Sequence, residues 1–261
     1  MFFTYKHVGL KNPAKLCNFK RILLETLTNS SDEIRRLAEV SANVLPLDSA
    51  QLSNEYYYRS LTLCVIDAVF SIGVRYGGVR NVIERYCQNF GLLKYCGVRG
   101  VIPQRSEQES LSSLCGHFDE VGIEAMTSIF QNRQRTSACN GILKSDAVFR
   151  FAKTLRFHKI EHLQDFQHAN VNAALERDIR LIPGQKSGIS FQYFSMLAGS
   201  DEFVKPDRMI LRFMENALER KVDIAEAQPL LSAAVKQLKE IYPQITPRLL
   251  DHEIWKFQRK V

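Results

Sequence analysis

With 261 residues, 45% of them hydrophobic, the chain has apolar content enough for one large or two small globular domains. Its formal net charge of +7 and pI near 9.1 suit a partner with a phosphate backbone. No apolar run approaches the ~18 residues of a membrane span, and the polar, early-charged start Met1–Lys15 does not fit a secretory signal, so a cytoplasmic protein with no membrane partner is expected.

Helical periodicity runs through nearly the whole chain, with no sustained period-2 alternation and no repeat, so the expected fold class is all-α. Ser30-Ser31-Asp32-Glu33 is a capping sequence for a helix through Val40. Tyr56, Tyr57 and Tyr58 are expected to pack in the core or between lobes, with one tyrosine available to a pocket. Leu61–Ile72 is largely apolar and reads as a buried helix, so Asp67 within it needs a partner. Surface exposure or an internal salt bridge is the ordinary outcome there. Gly73 and Gly77-Gly78 read as a turn between helices.

Gly91–Gln108 reads as the only long irregular segment, either a solvated insertion or a loop that skims a nucleic acid. The six cysteines (Cys17, Cys64, Cys87, Cys96, Cys115 and Cys139) are scattered, with no CxxC, as expected of reduced thiols. Ser145 before Asp146 suggests a cap, and Val148, Phe151, Ala152 and Leu155 follow helical spacing behind it. His158, His162, His168 and His252 lack cysteine or acid partners at ligand spacing, so they are expected on the surface and no metal site is expected.

Ile182-Pro183-Gly184-Gln185-Lys186-Ser187-Gly188 is a tight turn leading into the apolar run Ile189–Leu197, the layout of helix, short hairpin, helix. Free backbone N–H groups at the start of that second helix can hold a phosphate. Beyond it, Asp207 follows Pro206 and opens an amphipathic helix marked by Ile210, Phe213, Met214 and Ala217. Leu250, Ile254 and Phe257 mark a last helix that carries Trp255, expected in the core or between lobes.

The hairpin IPGQKSGIS and the acid segment KPDRMILR together resemble the helix-hairpin-helix DNA glycosylase superfamily, the endonuclease III, MutY and AlkA-like enzymes. Relatives carry Leu-Pro-Gly-x-Gly and then an aspartate followed by an arginine, positions matched here by Asp207 and Arg212. Leu61–Tyr86 resembles the family's first barrel helix pair, Lys144–Ala147 the start of the helix before the hairpin, and Ile245–Gln258 a closing helix of some relatives.

The resemblance implies a two-lobed helical fold with the active-site cleft between lobes. Residues 56–198 would form a helical barrel ending in the helix-hairpin-helix; residues 1–55 and 199–261 would form a discontinuous lobe carrying the catalytic acid. It implies a monomer acting on double-stranded DNA with a modified or mismatched base. Asp207 would support the oxocarbenium ion, and Gly184, Gln185, Lys186, Ser187 and Gly188 would grip the backbone, with a possible monovalent cation at the hairpin. Asp67, Arg75 and Tyr76 are the pocket or wedge candidates; the position of the family's wedge glutamine is Gly73. The family's lyase lysine would fall at Gly188, which implies a monofunctional enzyme. Four closely spaced C-terminal cysteines are missing, so no iron–sulfur cluster is expected. The alternatives are a non-catalytic helix-hairpin-helix DNA-binding protein, motivated by Lys186 at the second hairpin glycine, and an unrelated helical interaction protein.

Overall fold

The computed structural model describes residues 31–74, 76–96, 101–168 and 173–259. Ser30, Cys17, Arg75, the side chains of Tyr76 and His168, and residues 97–100 of the 91–108 segment lie outside the described residues. The described chain is all-helical: α1 (31–44), α2 (Leu61–Phe70), α3 (Tyr76–Phe90), α4 (Leu111–Phe130), α5 (Lys144–Phe157), α6 (Leu163–His168), α7 (Ala173–Arg180), α8 (Ile189–Leu197), α9 (Arg208–Leu218), α10 (Ile224–Leu238) and α11 (Pro247–Gln258). Among these residues there is no strand, only the isolated bridges Tyr58–Tyr95 and Arg135–Leu143. No described helix is long and apolar enough to cross a membrane.

Two separate hydrophobic cores organise the helices. In the first, every residue of α2 is buried, and α3, α4, α5 and α8 pack around it. Phe70, Phe130, Phe151, Phe191 and Phe194 fill this core, each side chain worth ~1.5–3 kcal/mol when taken from water. Its residues all lie between Tyr58 and Ala198. The second core takes Leu37–Leu52 from one end of the chain and Val204–Ile254 from the other, with α9 packed on both α10 and α11.

Local chemistry sets the helix ends. Asp223 and Glu226 form a reciprocal capping box on α10, Thr246 caps α11 ahead of Pro247, and Ser110 caps α4. The helical spacing read in α5 and α9 is correct: Val148, Phe151, Ala152, Leu155, Ile210, Phe213, Met214 and Ala217 are all buried.

Several local expectations are corrected. α1 runs to residue 44 rather than Val40, because Ser41 is tolerated inside it and Leu45 still donates to Ser41. Gly77 and Gly78 sit in the first turn of α3, so the turn is carried by Gly73 alone, at φ +72°. Ser145 does not cap α5; Leu143 stands at the cap position, and Ser145 is buried against Thr127 at 2.5 Å. Segment 91–108 is not the only long irregular stretch, since 45–60 and 131–143 are equally non-helical apart from short 3-10 turns in the former. The described parts of 91–108 are tied to the helices, Lys94 to Glu84 at 2.5 Å and Arg105 to Asp165 at 2.5 Å.

Candidate functional site

Residues 181–188 join α7 to α8 in a turn that its sequence dictates. Gly184 has φ +86°, and a Cβ placed there would stand 2.3 Å from Thr136 Cβ, so both backbone and space demand glycine. Gln185 N donates to Ile182 O at 2.9 Å, and Gly188 N to Gln185 O at 3.0 Å. Gly188 opens α8 in the left-handed region, φ +79°. The Gln185 side chain turns inward and accepts from Ser190 Oγ. Arg180 Nε braces the turn on Lys186 O at 2.9 Å. Lys186 and Ser187 are left exposed.

At the other end of α8, roughly 12 Å along its axis at 1.5 Å per residue, a cleft of about 1040 Å³ opens. Tyr193, Met196 and Leu197 of α8 and the α2–α3 turn line one side; residues 49–56, the start of α9 and one face of α11 line the other. Asp207 stands in it as the N-cap of α9. Its Oδ1 accepts from Met209 N at 2.8 Å and Ile210 N at 3.3 Å, which fixes the carboxylate at the positive end of the helix.

Lys205, two residues earlier, is locked in place. Its backbone N donates to Asp251 Oδ1 at 2.8 Å, and its Nζ donates to Ser71 Oγ at 3.1 Å. The same Nζ lies 3.7 Å from the centre of the Tyr193 ring. Desolvation pushes this ammonium down, against the opposing pull of Asp67, Asp207 and Asp251. Burial pushes Asp251 up to about 8, in spite of the Lys205 N–H. Arg248, one turn earlier on α11, is buried, donates to Tyr56 O at 2.7 Å and covers the Tyr57 ring.

The rings of the cleft form a row. Tyr56 meets His252 edge-on at 4.5 Å, His252 stacks toward Trp255 at 6.1 Å, and Arg259 covers Trp255 at 4.5 Å. Burial, then Lys256 and Arg248, pushes His252 down to about 4, so it presents a neutral imidazole.

Behind the cleft, Asp67 is fully buried on α2. Its Oδ2 accepts from Tyr58 Oη at 2.8 Å and from Tyr193 Oη at 3.4 Å, while Oδ1 has no hydrogen-bond partner among the described residues. Desolvation raises it to about 6, opposed by Lys205 and the two tyrosines.

Residues 35–259 match the model of a family described as a domain of unknown function, DUF8548. The chain belongs to that family. No curated protein and no solved structure matches it.

In this DUF8548 chain the candidates read from sequence fall into three places. Asp207 is in the cleft. Lys186 and Ser187 are exposed on the 181–188 turn, with Gly184 and Gly188 shaping it and Gln185 facing inward. Asp67 sits one layer behind the cleft, reaching it through Tyr193; surface exposure is corrected, because all of α2 is enclosed. Arg75 and the side chain of Tyr76 lie outside the described residues. Trp255, expected in the core or between lobes, is half-buried and lines the cleft. The described histidines are not simple surface residues either: His158 pairs with Asp178 at 2.9 Å, His162 lies 3.7 Å from Asp165, and His252 lines the cleft. Among the described residues no group of three His, Cys, Asp or Glu is arranged to hold a metal ion.

Sequence reasoning missed Lys205, Arg248 and Asp251 altogether. The available signal was a charged i, i+3 pair, Arg248 and Asp251, on the face of α11 that also carries Leu250 and Ile254 toward the core.

Proposed function

We propose that this chain is a monofunctional DNA glycosylase with a helix-hairpin-helix clamp, acting as a monomer on double-stranded DNA that carries a modified or mismatched base. One observation carries the reading: a helix-capping carboxylate, a row of aromatic rings and several fixed cations share a single deep cleft at one end of α8, while the glycine-shaped turn sits at its other end. Rings offer stacking surface to an extruded base. Arg80 and Arg208 have no ion-pair partner among the described residues and line the cleft, where a phosphate backbone would pass. The ~12 Å along α8 spans three to four base steps at 3.4 Å each, a separation that suits one strand gripped at the turn and cut free of its base at the cleft. The resemblance of 182–212 to the superfamily's hairpin and acid segment supports the same roles.

In this mechanism Asp207 faces the deoxyribose. Its negative charge stabilises the oxocarbenium-like transition state and orients a water for C1′. The 181–188 turn holds a phosphate through backbone N–H groups, with Lys186 beside it.

The test is base release from a panel of duplexes, each with one modified base, with abasic sites revealed by alkali. Asp207→Asn keeps the cap acceptor and is expected to lower turnover by ~100-fold or more while DNA affinity holds. Release at the wild-type rate removes Asp207 from the chemistry. Salt-sensitive DNA binding with no release across the panel turns the assignment to the non-catalytic DNA-binding protein, and no DNA binding at all to an interaction protein.

A further inference from the structure

Heterolysis of an N-glycosidic bond sends the bonding pair to the base nitrogen and leaves the sugar as an oxocarbenium ion. A base that starts uncharged departs as an anion. A base that starts as an N-alkylated cation departs neutral. These two cases demand opposite surroundings, because only interactions that strengthen in the transition state speed the step.

The cleft is suited to the first case. Its lining carries Arg80, Lys205, Arg208, Arg248, Lys256 and Arg259. Two of the lining rings already carry a cation of the chain on one face, Tyr193 under Lys205 at 3.7 Å and Trp255 under Arg259 at 4.5 Å, which leaves the other face for stacking and sets a positive charge against a cationic base there. Of the acids nearby, Asp251 is buried and pushed up to about 8, and Asp67 is buried behind the cleft on two tyrosine hydroxyls, which leaves Glu55 and Asp207 as the other carboxylates on a lining with six basic side chains. His252 is neutral too, so it adds no charge of either sign. Among these cations Lys205 is the one preorganised beside Asp207, held by Ser71, Tyr193 and the Asp251 contact to its own backbone.

Resting on the glycosylase reading, we propose that Lys205 is a catalytic residue that receives the departing base, and that the cleft takes bases with no positive charge of their own and turns away N-alkylated purinium bases. Asp207 and Lys205 then divide the transition state between them. The carboxylate faces the sugar, which is becoming positive; the lysine N–H faces the base nitrogen, which is becoming negative. The C1′–N bond breaks, water adds to C1′, and its proton passes by way of Asp207 to the base anion. The products are an abasic sugar and a neutral free base.

Duplexes identical except for one uncharged modified base (uracil, 8-oxoguanine and others of that charge class) or one cationic 7-methylguanine are incubated with wild type, Lys205→Met and Lys205→Arg. Wild type is expected to release one of the uncharged bases and to leave 7-methylguanine in place. Lys205→Met lowers kcat on the released base by ~100-fold or more with KM little changed, and Lys205→Arg recovers part of it. The loss shrinks on an analogue of that base with a more acidic N–H, since a better leaving group leans less on the cation. Wild-type preference for 7-methylguanine overturns the substrate class and needs no variant to read. An undiminished kcat in Lys205→Met, or a loss equal on the base and its acidic analogue, overturns the role of Lys205 while the glycosylase reading stands. Absence of release from every duplex by wild type removes that reading, and this proposal with it.

Discussion

Asp251 shows how a single buried side chain can set the pH response of the fold. Its carboxyl is pushed up to about 8, against an ordinary value near 3.9 in the unfolded chain. Between those values the folded state keeps a proton that the unfolded state has released, so this group's contribution to stability falls as pH rises from about 4 to about 8. Charges facing it from neighbouring segments are Asp207, Lys205 and Arg248. Asp251→Asn keeps an acceptor for the Lys205 N–H and removes the titration. The variant is therefore expected to gain on wild type with rising pH, by on the order of a few kcal/mol across the window. Thermal melts at pH 5 and pH 8 check this; a melting difference that is the same at both pH values would show that Asp251 is already ionised in the fold. Little of this was legible in the sequence. An aspartate in Arg248–Gln258 looks like any charged position on an amphipathic helix until the 201–207 segment is seen lying across it.

Elements were far more legible than sites. Ile189–Leu197 was bounded correctly, because the Gly188 turn starts it and the apolar run fills it. Caps were harder, since a buried serine and a capping serine look alike in sequence, as Ser145 demonstrates. So was the partner of a helix end. Lys144 opens α5, yet its Nζ donates to Phe70 O at 2.9 Å and Ile72 O at 2.8 Å, satisfying carbonyls at the C-terminus of α2. Burial pushes that amine down to about 8, with Lys205 adding to the effect. Nothing in the local pattern pairs residues so far apart. Lys144→Met keeps the stem and leaves the carbonyls bare, at a cost of about 2–3 kcal/mol in urea unfolding. A loss below ~0.5 kcal/mol would mean that water takes over both bonds.

For the molecule as a whole, the cleft draws on residues 49–56, 71–80, 193–210 and 248–259. No spacing rule could have joined these four segments; only the two cores, one enclosed by Tyr58–Ala198 and the other closed by both flanking stretches of chain, bring them together. The net charge of +7 was visible at once, but the concentration of six basic side chains on the lining of one cleft, beside Glu55, Asp207 and Asp251, was not. If that concentration tracks a phosphate backbone, log K for duplex DNA falls linearly with log salt, with a slope of about −0.9 per phosphate neutralised. Arg80→Gln with Arg208→Gln is expected to flatten the slope by about 2 and to weaken binding evenly across sequences. A slope identical to wild type would move the DNA off the cleft. The same architecture also supplies its own optical probe. Trp255 is the only tryptophan in the chain, and it lines the cleft between His252 and Arg259. Intrinsic emission excited at the indole band therefore reports from this one place, so a base sliding into the row of rings would quench it in real time, without a label and before any bond is cut.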